Sequence, residues 1–247
     1  MMRLRATIAL IVALAAAPAL AVDCHDMSHE DNTYTVCAVD AGKEDLRLFL
    51  DNPQGAKYGH FTNIDTQLTR NGQQLGFAMN AGMYHPDRAP VGHYVEDGQE
   101  KMHVISSAGS GNFGLLPNGV FCIREDRADV IETRSFLEQA PNCRYATQSG
   151  PMLVIDGALH PRFLPDSTSR FVRNGVGTSA DGQTAYFAIS QGAVTFHQFA
   201  QLFRDALKTP NALYFDGNIS RLHAPMIGRS DPGFRMGPIV GIVEPAD

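Results

Sequence analysis

Several things are scarce or missing in this 247-residue chain, and each absence closes off a class of function. Positive charge is scarce: 20 lysines and arginines stand against 26 acids, so no basic face is left over for a nucleic-acid backbone. Long apolar runs are confined to the N-terminus, and that run is too short to span a bilayer. There are four cysteines and no Cys-x-x-Cys pair, which disfavours a structural zinc site. Gly-x-x-x-x-Gly-Lys-Ser/Thr, His-Glu-x-x-His and Gly-x-Ser-x-Gly are all absent. Gly109, Gly111 and Gly114 spell part of a Gly-x-Gly-x-x-Gly, but Leu115-Leu116-Pro117 breaks the chain where a dinucleotide site needs a helix. Internal repeats, coiled coils and low-complexity tracts are missing as well.

What the N-terminus does carry is an export pattern. Arg3 and Arg5 precede the apolar run Ile8–Ala17, and Pro18 with Ala19-Leu20-Ala21 supplies a small-x-small cleavage site. Residues 1–21 are therefore expected to be a signal peptide, leaving residues 22–247 as one periplasmic or secreted domain. Ala21-Val22-Asp23 is a poor lipoprotein box before Cys24, so no lipid anchor and no membrane span are expected. Loss of Arg3 and Arg5 leaves 18 basic against 26 acidic residues, a formal charge of −8. In an oxidising compartment Cys24, Cys37, Cys122 and Cys143 point to two disulfides. Three connectivities are possible, and the short loops Cys24–Cys37 and Cys122–Cys143 fit the chain order best.

The pattern of the remaining chain predicts an α+β domain with a mixed, mainly antiparallel sheet and few helices. Residues 22–40 read as a polar arm tied down by Cys24, with His25, His29 and Glu30 solvated in it. Strands are expected at Leu46–Leu50, Leu75–Met79, Val91–Val95, Lys101–Ser106, Val120–Ile123, Val130–Thr133, Met152–Ile155, Ala185–Ile189 and Ala212–Phe215. They mostly follow one another without intervening helices, which argues against a doubly wound parallel sheet. Asp65–Gly72 resembles a short helix or loop. One helix is clear: Phe199, Leu202, Phe203, Ala206 and Leu207 share a face. Thr195 and Gln198 form a capping box at its start, and Thr209-Pro210 ends it.

Four polar clusters share one layout, each beside a buried strand and each containing glycine: Asn80-Ala81-Gly82, Gln148-Ser149-Gly150-Pro151, Arg173-Asn174-Gly175-Val176-Gly177 and Asp216-Gly217-Asn218-Ile219-Ser220-Arg221. A sugar or phosphate site needs this combination, because glycine brings backbone N–H groups to a ligand and a rigid sheet fixes the side chains. Any one cluster alone reads equally well as a turn, and Asp216-Gly217 is itself a hairpin signal.

These motifs, with Asn80-Ala-Gly-Met-Tyr84, Ser149-Gly-Pro-Met-Leu-Val-Ile-Asp-Gly157 and Asn211-Ala-Leu-Tyr-Phe-Asp-Gly217 in the same order, resemble the phosphodiester glycosidase (NAGPA) family, especially its YigE-like bacterial members. The resemblance covers about residues 75–244. It implies hydrolysis of the bond between a sugar's anomeric carbon and a phosphodiester, on a phosphate-linked sugar or glycan. The chain departs from the family at two places. Asp216-Gly-Asn-Ile-Ser-Arg221 stands where the wider family reads Asp-Gly-Gly-Gly-Ser-Ser, and Asn80-Ala-Gly82 stands for Asn-Gly-Gly.

A phosphate is a good leaving group at neutral pH, so the chemistry calls for a cation near the departing oxygens and a carboxylate near the reacting carbon or water. Arg173 is the candidate for the first role, since a guanidinium can grip phosphate in bidentate fashion. Asp216 is the candidate base or nucleophile. Asn80, Gly82, Gln148, Ser149, Gly150, Asn174, Gly217, Asn218 and Ser220 are the expected substrate-binding positions, with Arg221 and Glu96 in reserve. No cofactor is called for. His85, His93 and His223 lack paired ligand spacing and read as pocket rim before metal ligands. Two other readings stay open: a non-catalytic glycan- or cell-wall-binding protein that keeps the pocket, and a metal-dependent phosphodiesterase.

Overall fold

A computed structural model describes residues 22–216 and 219–246. The expected signal peptide at 1–21 and two expected site residues, Gly217 and Asn218, lie outside the described residues. Strands segregate into three sheets. The seven-stranded sheet runs Val22–His29, Asn32–Asp40, Thr184–Ser190, Asn174–Thr178, Asn211–Tyr214, Met152–Ile155, Ala158–Leu159. A five-stranded sheet runs Arg229–Ser230, Leu222–Ala224, Gln73–Asn80, Ile239–Pro245, Asp45–Phe49. The other five-stranded sheet runs Gln99–Met102, Tyr94–Glu96, Tyr145–Ser149, Gly119–Ile123, Ala128–Glu132. Strand pairing among the described residues is antiparallel throughout. The α+β class, one domain with antiparallel sheets and few helices, is what the sequence pattern predicts.

Alternation along each strand sends one face of all three sheets into a shared core. Four phenylalanines join the sheets there. Phe187 packs 4.9 Å from Phe77 and 5.7 Å from Phe121, and Phe121 meets Phe215 edge-on at 6.3 Å. The outer face of each sheet is covered by its own helix. The helix that begins at Phe196 buries Phe199, Leu202 and Phe203 against Val36, Leu153 and Tyr214. Phe61–Thr69 buries Phe61, Ile64 and Leu68 against Leu75, Ala78 and Ile239. Thr133–Gln139 lays Phe136 on Val95, Val120 and the Cys122–Cys143 disulfide.

The Phe196 helix starts with the expected capping box: Gln198 N donates to Thr195 Oγ1 and Thr195 N donates to Gln198 Oε1, both at 3.1 Å. After Gln201 the helix widens into a π-turn over Leu202–Ala206.

Three expectations need correction. Residues 22–40 are a hairpin at the edge of the seven-stranded sheet, not an arm; Cys24 and Cys37 lie directly opposite one another and are bonded. Its second strand carries the buried run Tyr34–Cys37, which pairs with Thr184–Ser190 and gives the hairpin a core to rest on. The Arg173–Gly177 cluster is not a turn, because Asn174–Thr178 is an interior strand of that sheet. Its glycines permit close packing: a Cβ on Gly175 would stand 2.4 Å from the Leu213 carbonyl oxygen, and one on Gly177 2.8 Å from the Phe203 ring. Tyr145–Ser149 and Ile239–Pro245 are strands the pattern did not single out, and both are interior to their sheets.

The Gly175 contact is with backbone, so it cannot relax by a side-chain rotation. Gly175→Ala is expected to lower unfolding free energy by about 3 kcal/mol. Urea denaturation measures this directly, and an unchanged midpoint would show that the sheet is looser at this crossing.

Candidate active site

Two buried asparagines from different sheets hold the site together. Asn80 ends the Gln73–Asn80 strand and Asn174 begins the Asn174–Thr178 strand; both are 0% exposed. Asn80 Nδ2 donates to Asn174 Oδ1 at 3.2 Å, and Asn174 Nδ2 donates to the Asn80 carbonyl at 3.1 Å. Asn80 Oδ1 accepts from the Arg221 amide at 2.9 Å, which pins the start of the following strand. Asn174 Oδ1 also receives Ser220 Oγ at 3.3 Å and the Asp216 amide, more loosely, at 3.4 Å.

The Asp216 segment is fixed from both ends. Phe215 N donates to the Asn174 carbonyl at 3.1 Å, and Ser149 Oγ donates to the Phe215 carbonyl at 2.7 Å. Ser220 Oγ lies 3.0 Å from both the Asp216 and Val172 carbonyls. Four sequence clusters thus meet around the backbone of Phe215 and Asp216, with Asn80 joined through Asn174. Gly82 and Gly150 belong here through close approach: a Cβ on Gly82 would stand 2.4 Å from Thr147 Oγ1, and one on Gly150 2.7 Å from the Asn118 Cβ.

Two expected ligand-binding side chains are committed elsewhere. Arg173 is 1% exposed, with Nε donating to Val194 O at 2.9 Å and Nη2 to Ser169 O at 3.1 Å. Its guanidinium stacks 3.6 Å from the Phe196 ring centre, with the Phe171 and Tyr214 rings at 5.5 Å. Burial pulls its pKa below the usual arginine value, and neighbouring Tyr214 partly restores it. The Tyr214 hydroxyl makes no hydrogen bond of ordinary geometry, so it shares proximity with the guanidinium and no more. Arg173 therefore braces the site from within the fold; the phosphate grip expected of it has no open face here.

Gln148 bonds His93 N and Ile105 N through its oxygen, and Ile105 O and Thr133 Oγ1 through its nitrogen. It clamps the 92–106 excursion instead of facing a ligand. Arg221 is likewise a brace: Nε and Nη2 donate to Asp231 O, and Nη1 donates to Phe234 O at 2.7 Å.

The three histidines scatter. His93 is 5% exposed, bonds Met102 O through Nδ1 at 3.1 Å and packs on Phe136. His223 is held by Ser230 Oγ at 2.9 Å, and His85 lies exposed in the turn after Tyr84. Glu96 pairs with Lys101 at 2.6 Å. Among the described residues no group of three or more His, Cys, Asp or Glu side chains is placed to hold a metal ion.

Tyr84, His60, Arg88 and Arg235 are the residues that sequence reasoning passed over. Tyr84 packs its ring against Gly237, where a Cβ would stand 2.5 Å away. Its pKa is pushed up to about 12, first by burial and then by the Asp216 carboxylate, with Arg88 and Arg221 acting the other way. His60 feels Arg221, Arg235 and Arg88 together. Lone residues in loops carry no spacing signal, so only the fold could have gathered these.

The Tyr84 hydroxyl gives a direct probe of where Asp216 stands. In absorbance titration at 295 nm, the transition lost in Tyr84→Phe is expected near pH 12 in the parent protein. It should move toward the ordinary value of 10.0 in Asp216→Asn, because the carboxylate raises it. The folded pKa exceeds the unfolded one, so this stabilisation is complete below pH 10 and is lost as pH rises from about 10 to 12. An unmoved Tyr84 transition in Asp216→Asn would place the carboxylate elsewhere.

Comparison with known proteins fits this geometry. The phosphodiester glycosidase (NAGPA) family model matches residues 73–224. The chain is 34% identical over 216 residues to the uncharacterized protein YigE of Escherichia coli K12, covering 87% of this chain and 84% of that one. Among solved structures it resembles the zebrafish N-acetylglucosamine-1-phosphodiester alpha-N-acetylglucosaminidase catalytic domain auto-inhibited by its pro-peptide. The TM-score is 0.60 at 14% identity, over 90% of this chain and 81% of that one. A putative exported protein from Burkholderia pseudomallei K96243 matches with TM-score 0.55 at 12% identity, over 85% and 74% of the two chains. The family match takes in the Asn80, Ser149, Asn174 and Asp216 clusters that the fold brings together, and this chain belongs to the phosphodiester glycosidase family.

Proposed function

We propose that this protein is an exported hydrolase that cleaves the bond between a sugar's anomeric carbon and a phosphodiester. The observation that carries the reading is the fixing of the strand end that presents the Asp216 carboxylate: the Asp216 backbone bonds Asn174 and Ser220, and the Phe215 backbone bonds Asn174 and Ser149. A backbone held this firmly fixes the point from which the Asp216 side chain reaches a bound substrate. Either water, giving its proton to Asp216, attacks the anomeric carbon, or Asp216 attacks first and water then cleaves the glycosyl–Asp216 ester; in both the anomeric C–O bond to phosphate breaks and the phosphate oxygen leaves with the electron pair. Asp216 is assigned the role of base or nucleophile for this attack. The leaving phosphate is already weakly basic, so no strong acid has to protonate it.

Export is supported by the two disulfides, which persist in oxidising compartments, together with the N-terminal pattern at residues 1–21. Exposed Phe171 and Phe234 flank the segment, at 50% and 84% exposure. Ser220 reaches the carbonyl next to Phe171, and Arg221 reaches that of Phe234 itself. Flat apolar rings in these positions suit the faces of a sugar.

One observation favours a second reading, a glycan-binding protein without turnover. Where the wider family has glycine, Ile219 packs against the cluster that includes Phe61, Ile64 and Met236, drawing this loop onto the Phe61–Thr69 helix.

The two readings separate in one assay. The mature protein with a panel of sugar-1-phosphodiesters, followed by NMR with and without chelator, is expected to release free sugar. Asp216→Asn is expected to lower kcat by about a thousandfold while leaving circular dichroism and melting unchanged. Full activity in Asp216→Asn overturns the mechanism. Binding without release supports the second reading, and chelator sensitivity supports a metal-dependent route.

A further inference from the structure

We infer that the phosphate of the substrate is held by a pocket in which Arg88 and Arg235 supply the positive charge and His60 a ring nitrogen, at the start of the Phe61–Thr69 helix, beside Asp216. The need for such a pocket comes from Arg173, whose donors are turned to backbone carbonyls inside the fold. Arg221 is withdrawn in the same way. If a phosphodiester binds here, its charge has to be met by other cations.

Arg88 is the best placed. Its Nε is shut off from water and makes no hydrogen bond, a donor left without an acceptor. Its backbone sits at φ +70, held by hydrogen bonds to His85 O and from His85 to Ala89 O, in a conformation arginine seldom adopts. Arg235 comes from the opposite side. Its side chain crosses Gly59, where a Cβ would stand 2.9 Å from Nε, and Nη2 bonds Lys57 O at 3.1 Å. Met236 N donates to Gly59 O at 2.8 Å and locks this crossing. Neither Arg88 nor Arg235 pairs with a carboxylate among the described residues, whereas Arg47, Arg124, Arg127, Arg144, Arg204 and Arg229 all do.

The helix beneath adds to the same potential. His60 is its N-cap and makes no side-chain cap bond, and no acid occupies the first turn. Partial positive charge at that end is therefore uncompensated. Burial lowers the His60 pKa first, and Arg221, Arg235 and Arg88 lower it further, with no carboxylate among the groups acting on it. A chain with an acidic surplus has gathered positive potential at one spot. Tyr84, bridged to Pro90, opens the turn that carries Arg88 and packs its ring on Gly237, two residues past Arg235, while Ser220 bonds the Asp216 carbonyl and its neighbour Arg221 lies 5.2 Å over the Phe61 ring.

Anion binding by this pocket stands on the residues above; that the anion is the phosphate of a cleaved glycoside rests on the hydrolase reading. The test keeps the two apart by using inorganic phosphate and glucose 1-phosphate as binding probes, and the sugar-1-phosphodiester panel for turnover. Arg88→Gly removes the side chain and also relieves the positive φ, so folding is not put at risk. Arg88→Lys keeps the charge and loses the forked donors.

By calorimetry the parent protein is expected to bind both probes, Arg88→Gly about tenfold or more weakly, and Arg88→Lys in between. Arg235→Ala should weaken both probes as well. In turnover, Arg88→Gly should lower kcat/KM by at least about tenfold. Phosphate binding that is unchanged in Arg88→Gly, or absent from the parent, overturns the pocket. Turnover that ignores Arg88 overturns the pocket and leaves the hydrolase reading intact. Arg88-dependent phosphate binding with no turnover of any member upholds the pocket and overturns the hydrolase reading.

Discussion

The Asn80–Asn174 amide pair is the interaction on which the rest of the site depends. Two primary amides are buried where a seven-stranded and a five-stranded sheet meet, and each bonds the other. Buried amides of this kind hold only when their capacity is met, since an orphaned partner costs about 1–3 kcal/mol. Here the remaining capacity is taken by the backbone of Asp216 and Arg221 and by Ser220. The joint between sheets and the fixing of the backbone that presents Asp216 are therefore the same set of bonds. A change that loosened the sheets would displace Asp216, and a change in the Asp216 segment would strip the asparagines of partners.

Arginine has two distinct uses in this fold, and burial separates them. Arg173 and Arg221 are sunk among aromatic rings and backbone carbonyls, at 1% and 7% exposure. Both have pKa values drawn down by desolvation. A guanidinium is suited to this because it is planar, weakly hydrated for an ion and able to bond several carbonyls at once. Arg173 ties the segment before Asn174 to Ser169 and Val194, and Arg221 ties the segment after Ser220 to Asp231 and Phe234. The two buried cations brace the segments that lead into Asn174–Thr178 and into Leu222–Ala224, the latter paired with the strand that ends at Asn80.

How much of this was legible from the sequence depends on how local the signal was. The capping box at Thr195–Gln198, the apolar face Phe199–Phe203 and the turn-bounded apolar runs are local, and they found their elements. The hairpin at 22–40 was not, because its polar first strand makes sense only once Cys24 faces Cys37 and the second strand pairs with Thr184–Ser190. The four glycine-containing clusters were read as one site, and the fold does bring Asn80, Ser149, Asn174 and Ser220 to Asp216. Individual roles were less legible. Arg173 looked like a ligand-facing cation because an arginine beside glycines suggests a phosphate loop; the glycines in fact serve strand packing, and that packing buries the arginine. Gln148 failed for the complementary reason, since its partners at His93, Ile105 and Thr133 lie 15 to 55 residues away in sequence.

The departure from the family at Ile219 takes on meaning in this frame. A glycine there would have no side chain to bury, whereas Ile219 packs against the cluster under the Phe61–Thr69 helix. That cluster also contains Met236, whose amide fixes Gly59 one residue before His60. The carboxylate segment and the positively charged helix start are thereby fastened to one apolar patch. Their separation is set by packing, which changes little under thermal motion, instead of by a flexible glycine hinge. If Asp216 attacks and the helix start holds the anion, as proposed, this contact sets the distance between the two groups.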